Sequence, residues 1–263
     1  MSPVLYSVDP RGVATLTLNR PEKHNAFDDE MIRLIEAALR RADSDDAVRV
    51  LVLAAEGRSF SAGADLAWMR RVAAYTYEEN VADAKGLASM LKTLNFLSKP
   101  TIARVQGNAF GGAVGLISCC DMAVAVEQAQ FCLSEVKLGL IPATIGPYVV
   151  AAMGERFARR YFLSAERFTA EVAQQCGLVS EFVAQECLDS FVEQWIEALL
   201  ANGPEAVKEA KRLLQDVAQR PIDETLIEDT CERIARIRVS PEGQEGLGAF
   251  LEKRRPSYDG SSQ

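Results

Sequence analysis

A chain of 263 residues, 48% of them hydrophobic, has room for one large or two small domains around a substantial core. A net charge of −8 argues against a nonspecific nucleic-acid binder, which needs a basic surface, and leaves room only for a local basic pocket. The six cysteines (Cys119, Cys120, Cys132, Cys176, Cys187, Cys231) include no CxxC pair, and His24 is the only histidine, so the pattern reads as free thiols in a reducing cytosol and not as zinc or disulfides.

The N-terminus shows no basic segment followed by an apolar one, and no run of about 18 apolar residues occurs, which predicts a cytoplasmic protein without a membrane span. Residues 12–18 (GVATLTL) read as a strand, broken by Asn19-Arg20-Pro21. Asp28 is placed to cap a helix over 29–42, where Met31, Ile32, Leu34, Ile35, Ala38 and Leu39 recur at helical spacing. Residues 48–54 (VRVLVLA) are apolar enough for a strand buried on both faces. A small-residue loop, GRSFSAGADL, follows, and its Asp65 can cap the next helix. Residues 66–97 predict helix in two or three pieces, stopped at Lys99-Pro100, with a third strand over 101–105.

The stretch 106–142 carries the most chemistry. Gly107, Ala109, Gly111, Gly112 and Ala113 form a turn of small residues whose backbone can approach a ligand closely. An apolar run over 114–120 then predicts about two helical turns, with unpaired amide donors at its start. A short strand over 122–126 follows. After it Glu135 sits among Leu133, Val136 and Leu138, where an apolar setting can raise a carboxyl pKa and suit it to proton transfer. The plainer alternative is a turn–helix–strand unit with a surface glutamate. Beyond Pro142 the pattern predicts a helix over 148–153, a break at Gly154 and a second helix from Arg156. It continues with a short helix over 169–175, a strand over 178–183 and helices over 188–201, 204–219, 223–239 and 242–254, with a frayed tail after Tyr258. Strands alternating with helices, with glycine loops at strand ends, suggest a layered α/β fold.

Read together, SFSAGADL (59–66) and the 106–142 stretch resemble the crotonase (enoyl-CoA hydratase/isomerase) superfamily. The likeness runs from LTLNRPEKHNAF (16–27) to GLGAFLEKRRPSY (246–258), nearly the whole chain. It implies a spiral of β-β-α units over 1–200 and a helical oligomerisation region over 201–263, assembled as a homotrimer or a hexamer made of two trimers. It implies an acyl-CoA substrate and no cofactor, coenzyme A being part of that substrate, with no metal, nucleic-acid or membrane partner. By position, the amides of Ala62 and Gly112 would form the oxyanion hole and Glu135 would exchange the proton. Lys23, His24 and Ala26, with Ala64, Asp65 and Leu66, would contact coenzyme A, Arg20 and Lys23 being matched to its phosphates. Phe250 and Lys253 would close the coenzyme site, often from a neighbouring subunit.

The chain departs from the familiar hydratases at Gly115, where they carry a second glutamate. The runs FGGAVGL, SAGADLAWM and LSEVKLGLIPATIGPYV are similar to bacterial methylglutaconyl-CoA hydratases of leucine breakdown and, less closely, to isohexenylglutaconyl-CoA hydratases of acyclic terpene breakdown. Both substrates carry a second carboxylate. That carboxylate, or an acid among Glu78, Glu79 and Asp83, is the expected stand-in for the missing glutamate, and Arg70, Arg71 and Lys85 are candidate cations for it. Trp68, Met69, Tyr75 and Phe162 could line an acyl pocket or simply fill the core. The reading is hydration of 3-methylglutaconyl-CoA to 3-hydroxy-3-methylglutaryl-CoA, with a single-glutamate enoyl-CoA isomerase as rival and a silent acyl-CoA-binding or RNA-associated scaffold as the non-enzymatic alternative.

Overall fold

The structure, a computed structural model, describes residues 2–218 and 220–258, so the tail after Tyr258 and the last residue of the helix expected over 204–219 lie outside the described residues. The chain opens with an antiparallel pair, β1 (Val4–Val8) and β2 (Val13–Leu18), turned at Gly12, whose φ of 85° suits glycine. The sequence reading missed β1, an edge strand in which only Val4 of the five residues is buried. In α1 (Asp29–Ser44) the Asp28 carboxylate accepts from the Met31 N–H at 2.9 Å, and Met31, Ile32, Ile35, Leu39 and Ala42 form its buried stripe. Next come β3 (Val50–Ala55), buried along its whole length, and the short β4 (Ser59–Ser61).

The helix expected in two or three pieces over 66–97 is two, α2 (Leu66–Val72) and α3 (Tyr77–Asn95), because Thr76 and Glu79 form a capping box that starts the second afresh. Then follow β5 (Thr101–Val105), β6 (Asn108–Phe110), α4 (Gly112–Ser118), β7 (Met122–Val126), β8 (Gln130–Cys132) and a single 3-10 turn, Glu135–Leu138. Helix α5 (Gly146–Ser164) is interrupted at Gly154, where φ is 73°, as the glycine break predicts. After β9 (Phe168–Thr169) and α6 (Ala170–Gln175), the predicted strand 178–183 shortens to β10 (Glu181–Val183). Leu178 and Val179 instead donate their N–H groups to Ala173 O, closing the helix end. Four helices finish the chain: α7 (Leu188–Leu200), α8 (Pro204–Val217), α9 (Glu224–Val239) and α10 (Pro241–Glu252).

Six strands make one sheet in the order β1-β2-β3-β5-β7-β10, and four make a second, β4-β6-β8-β9. From β3 onward the chain lays one strand in the first sheet and the next in the second, then a helix, and repeats: β3–β4–α2/α3, β5–β6–α4, β7–β8–α5. This is the crotonase spiral of β-β-α units. Successive turns stack in parallel register, Leu51 opposite Thr101 and Ile102 opposite Met122 in the first sheet, Ala109 opposite Phe131 in the second. Leu16, Leu51, Leu53, Phe60, Phe131 and Met90 are sealed inside, each burial being worth about 1.5–3 kcal/mol. The stacking brings the loops after β4, β6 and β8 to one place.

The C-terminal helices are tied to this spiral by a buried lysine. Lys211 on α8 donates to Asp121 Oδ2 at 2.7 Å and to Lys99 O at 2.9 Å, and Asp121 also receives the Thr101 N–H and hydroxyl.

Candidate active site

The loop after β2 is built on a buried asparagine. Asn25, fully buried with φ 54°, donates to the carbonyls of Glu56 and Ser59 and accepts from the Arg20 N–H at 2.8 Å. It holds the 19–27 loop against the turn between β3 and β4. His24 beside it is also left-handed, and its ring meets Ser59 Oγ and the Arg58 guanidinium, each at 3.2 Å. These contacts hold within the loop the ring that the family likeness matches to a coenzyme A contact. A cavity of about 310 Å³ opens here, lined by His24, Arg58, Ser59, Ala62, Asn108 and Phe110. Neither this cavity nor two larger ones, about 580 Å³ among α8–α10 and about 760 Å³ along α5, is lined by Glu135 or Gly112.

In the SFSAGADL loop buried and exposed residues alternate: Ser61, Gly63 and Asp65 face inward, Ala62, Ala64 and Leu66 outward. Phe27 pins it, donating its N–H to Gly63 O and accepting from the Asp65 N–H, both at 2.7 Å. That single parallel bridge between Phe27 and Ala64 turns the Ala64 N–H away from Phe27, and no acceptor for it appears among the described residues. The Ala62 N–H, by contrast, is spent on His24 O at 2.9 Å. The assignment of an oxyanion donor to Ala62 is therefore corrected: of Ala62, Gly63 and Ala64, it is Ala64, expected only to touch coenzyme A, whose amide has no acceptor among the described residues.

Asp65 caps α2 through the N–H groups of Ala67 and Trp68 and receives Lys23 Nζ at 2.9 Å and Arg20 Nη2 at 3.2 Å. Burial alone would raise its pKa, but Lys23 and the two amides hold it down at about 2. Arg20 and Lys23 are thus engaged within the loop, Arg20 also pairing with Asp28 and reaching Ala26 O, and Ala26 is itself buried. This narrows the expected contact of both cations with phosphates to Lys23, whose side chain is half-exposed.

Gly63 and Gly111 touch back to back, a Cβ on Gly111 falling 3.9 Å from the Gly63 Cα. The two residues that follow them, Ala64 and Gly112, therefore stand side by side. Gly111 has φ 55° and ψ −122°, open to glycine alone, and its N–H is held by Cys132 O at 2.8 Å. Gly112 is the first residue of α4, so its N–H has no partner within the helix. A Cβ there would lie 3.0 Å from the Phe27 ring, which underlies the turn.

Glu135 opens the 3-10 turn after β8, and the space beside Gly111 is where its carboxyl sits, Oε1 lying 3.3 Å from a Cβ built on that glycine. Its Oε2 is buried with no hydrogen-bond partner among the described residues. Burial pushes the carboxyl pKa up, opposed in part by its own backbone N–H. Two amides and one desolvated carboxyl thus converge. Such a set can stabilise a developing oxyanion and move a proton to or from an adjacent carbon.

Gly115 is closed. A Cβ there would lie 2.7 Å from Ile145 Cβ and closer still to its Cγ2, so Ile145 fills the room a second side chain would need. The proposed substitutes are otherwise engaged: Glu79 accepts the Thr76 N–H in its capping box, and Asp83 accepts from Trp68 Nε1 at 3.0 Å. Glu78 is exposed on α3. Trp68 is a core residue and Arg71 pairs with Asp29. Phe250 and Lys253 are not brought to this site within one chain: the main packing partners of α10 are α8 and α9, and Phe250 is 80% exposed. What the sequence reading missed is Asn25, the Ala64 amide and Ile145.

A model of the enoyl-CoA hydratase/isomerase family matches residues 9–261. The chain belongs to that family, the crotonases. It is similar to the crystal structure of an enoyl-CoA hydratase from Shewanella pealeana, at 49% identity with a TM-score of 0.94, covering 97% of this chain and 96% of that one. It is 31% identical to the 2,3-dehydroadipyl-CoA hydratase of Escherichia coli, over 99% of this chain and all of that protein. It is also 31% identical to the 1,2-epoxyphenylacetyl-CoA isomerase of the same organism, over 95% of this chain and 96% of the relative. Both reaction types thus occur among its relatives.

Proposed function

We propose that this protein hydrates a 2-enoyl-CoA whose acyl group bears a second carboxylate, with 3-methylglutaconyl-CoA as the first candidate. The observation that carries the reading is Glu135: a buried carboxyl with an unpartnered oxygen, set against the Gly111 turn beside the free amides of Gly112 and Ala64. The thioester oxygen lies between the two amides. Ionised Glu135 takes a proton from water as its oxygen adds at C3, and charge moves onto the thioester oxygen. The amides hold that enolate more tightly than they hold the starting carbonyl, the loss of one such donor typically costing about 10²–10³ in rate. Glu135 then returns the proton to C2. One carboxyl serves both steps, and water is added without metal or redox chemistry. A relative named for a dehydroadipyl thioester, whose acyl chain ends in a carboxylate, supports the substrate class.

The rival is an enoyl-CoA isomerase in which Glu135 carries a proton between two carbons. It is favoured by Ile145 over Gly115, which leaves no second carboxyl. Assembly as a trimer or hexamer, with Phe250 and Lys253 reaching a neighbour's coenzyme site, belongs to the same proposal. The test follows the conjugated-thioester absorbance with 3-methylglutaconyl-CoA and crotonyl-CoA, using Glu135→Gln as control. Fast loss with the carboxylated substrate, slow loss with crotonyl-CoA and none with the variant supports the proposal. No loss with either, and conversion of a 3-enoyl-CoA without water uptake, moves the assignment to the isomerase.

A further inference from the structure

We infer that Ile145 is a positioning residue for Glu135: seated on the bare backbone of Gly115, it sets how close the Glu135 turn stands to the Gly111–Gly112 amides. The inference rests on the reading of Glu135 as the proton-transfer group. Gly111 caps α4, and Gly115 lies four residues further on, inside the helix. The segment that runs from the Glu135 turn into α5 touches both glycines. At Gly111 the neighbour is the Glu135 carboxyl, and at Gly115 it is the Ile145 side chain. Ile145 is 2% exposed and is the first carbonyl of α5, accepting the N–H groups of Tyr148 and Val149. The Glu135 turn in turn packs on α5. An isoleucine that can rest directly on a backbone fixes the spacing between two elements with no side chain from the other to give way.

The Cys132 thiol on β8 feels the charge of Glu135, and Lys137 within the turn and Arg167 ahead of β9 act on the same thiol. The thiol and the two cations stay in place when Gly115 or Ile145 is changed. A methyl group at 115 therefore acts by wedging α4 away from α5, and the carboxyl it displaces meets water.

The experiment compares Gly115→Ala, Ile145→Gly and the double variant. Gly115→Ala is expected to lower kcat about tenfold to a hundredfold with KM for the acyl-CoA within about twofold. The Glu135 carboxyl stretch, followed by infrared titration with Glu135→Gln as the subtracted background, is expected to titrate at lower pH. The double variant, in which the new methyl enters the vacated space, is expected to recover most of both. Unchanged kcat and titration in Gly115→Ala, or a double variant no better than Gly115→Ala in either, overturns the inference. If Gly115→Ala does not fold by circular dichroism, Ile145→Ala, which loosens the contact without a clash, takes its place. Wild-type kcat and titration in folded Ile145→Ala overturns the inference equally. The infrared titration needs no substrate. Should the wild type turn over no enoyl-CoA while the titration still shifts, the functional assignment fails and the positioning role stands.

Discussion

Two carboxyl groups a few residues' width from each other in the fold are tuned in opposite directions. Asp65 has two amide donors and two cations, while Glu135 has an oxygen with no partner. Glu135→Gln is expected to lower turnover by about 10²–10⁴, the usual weight of a general acid–base group, with KM little changed. It also makes a stability prediction. Burial raises the Glu135 pKa, so the native state holds the proton more tightly than the unfolded chain. Rising pH through that window costs stability. Glu135→Gln should therefore melt above the wild type at neutral pH, and calorimetry should find the gap closing below the ordinary glutamate value of about 4.3. Asp65 runs the other way. Its pKa of about 2 gives stability that is complete above the unfolded value of about 3.9 and is lost as pH falls toward 2. Asp65→Asn should be destabilised at pH 7 and approach the wild type in acid. The carboxyl of Asp65 could be read from sequence as a helix cap, and Glu135 as a carboxyl in an apolar setting. The error at Ala62 arose because a motif names residues, whereas hydrogen bonding selects amides. Which N–H of SAGA is free depends on Phe27 and His24, some 40 residues away in sequence, and local pattern carries no trace of it.

At the scale of elements, periodicity gave α1, β3, β5 and the Gly154 break close to their observed limits, since each is decided by its own apolar spacing. It failed for β1, β6, β8 and β9, which have two to five residues and exist because a neighbour supplies the ladder. These short strands form most of the second sheet and place the site loops, so the architecture of the site was the least legible part. The spiral itself came only from the family likeness. The join between spiral and C-terminal helices was equally hidden. Lys211 looks like an ordinary polar residue of an amphipathic helix, yet it is buried against Asp121 and Lys99 O. Lys211→Ala should cost about 2–3 kcal/mol in urea unfolding, short of the 3–5 of a fully buried pair because the Asp121 side chain is 31% exposed. Hydrogen exchange should show α8 opening first, ahead of β3 and β5.

For the whole molecule, the uneven distribution of apolar surface is the main clue to its state in solution. Leu214, Ile222, Val239, Leu247, Phe250 and Leu251 are all exposed on or between the last three helices. A monomer rarely leaves so much apolar area open. Sedimentation is expected to give a species of three or six chains, and Leu251→Lys should shift it toward the monomer. A chain that sediments as a monomer at micromolar concentration would remove the oligomeric part of the proposal.

The thiols offer a way to watch these events from inside the chain. Cys119, Cys132 and Cys176 are buried, and burial raises the thiols of these three and of Cys120, the last to about 12. Only Cys187 and Cys231 are exposed. A chromogenic disulfide reagent should therefore count two fast thiols in the isolated folded chain and six once it is unfolded. Cys187 precedes α7 on the spiral, whereas Cys231 rides on α9 among the exposed apolar residues. The pair forms a built-in ratio meter: slowing of Cys231 alone reports helices meeting a neighbour, and equal rates report a chain on its own.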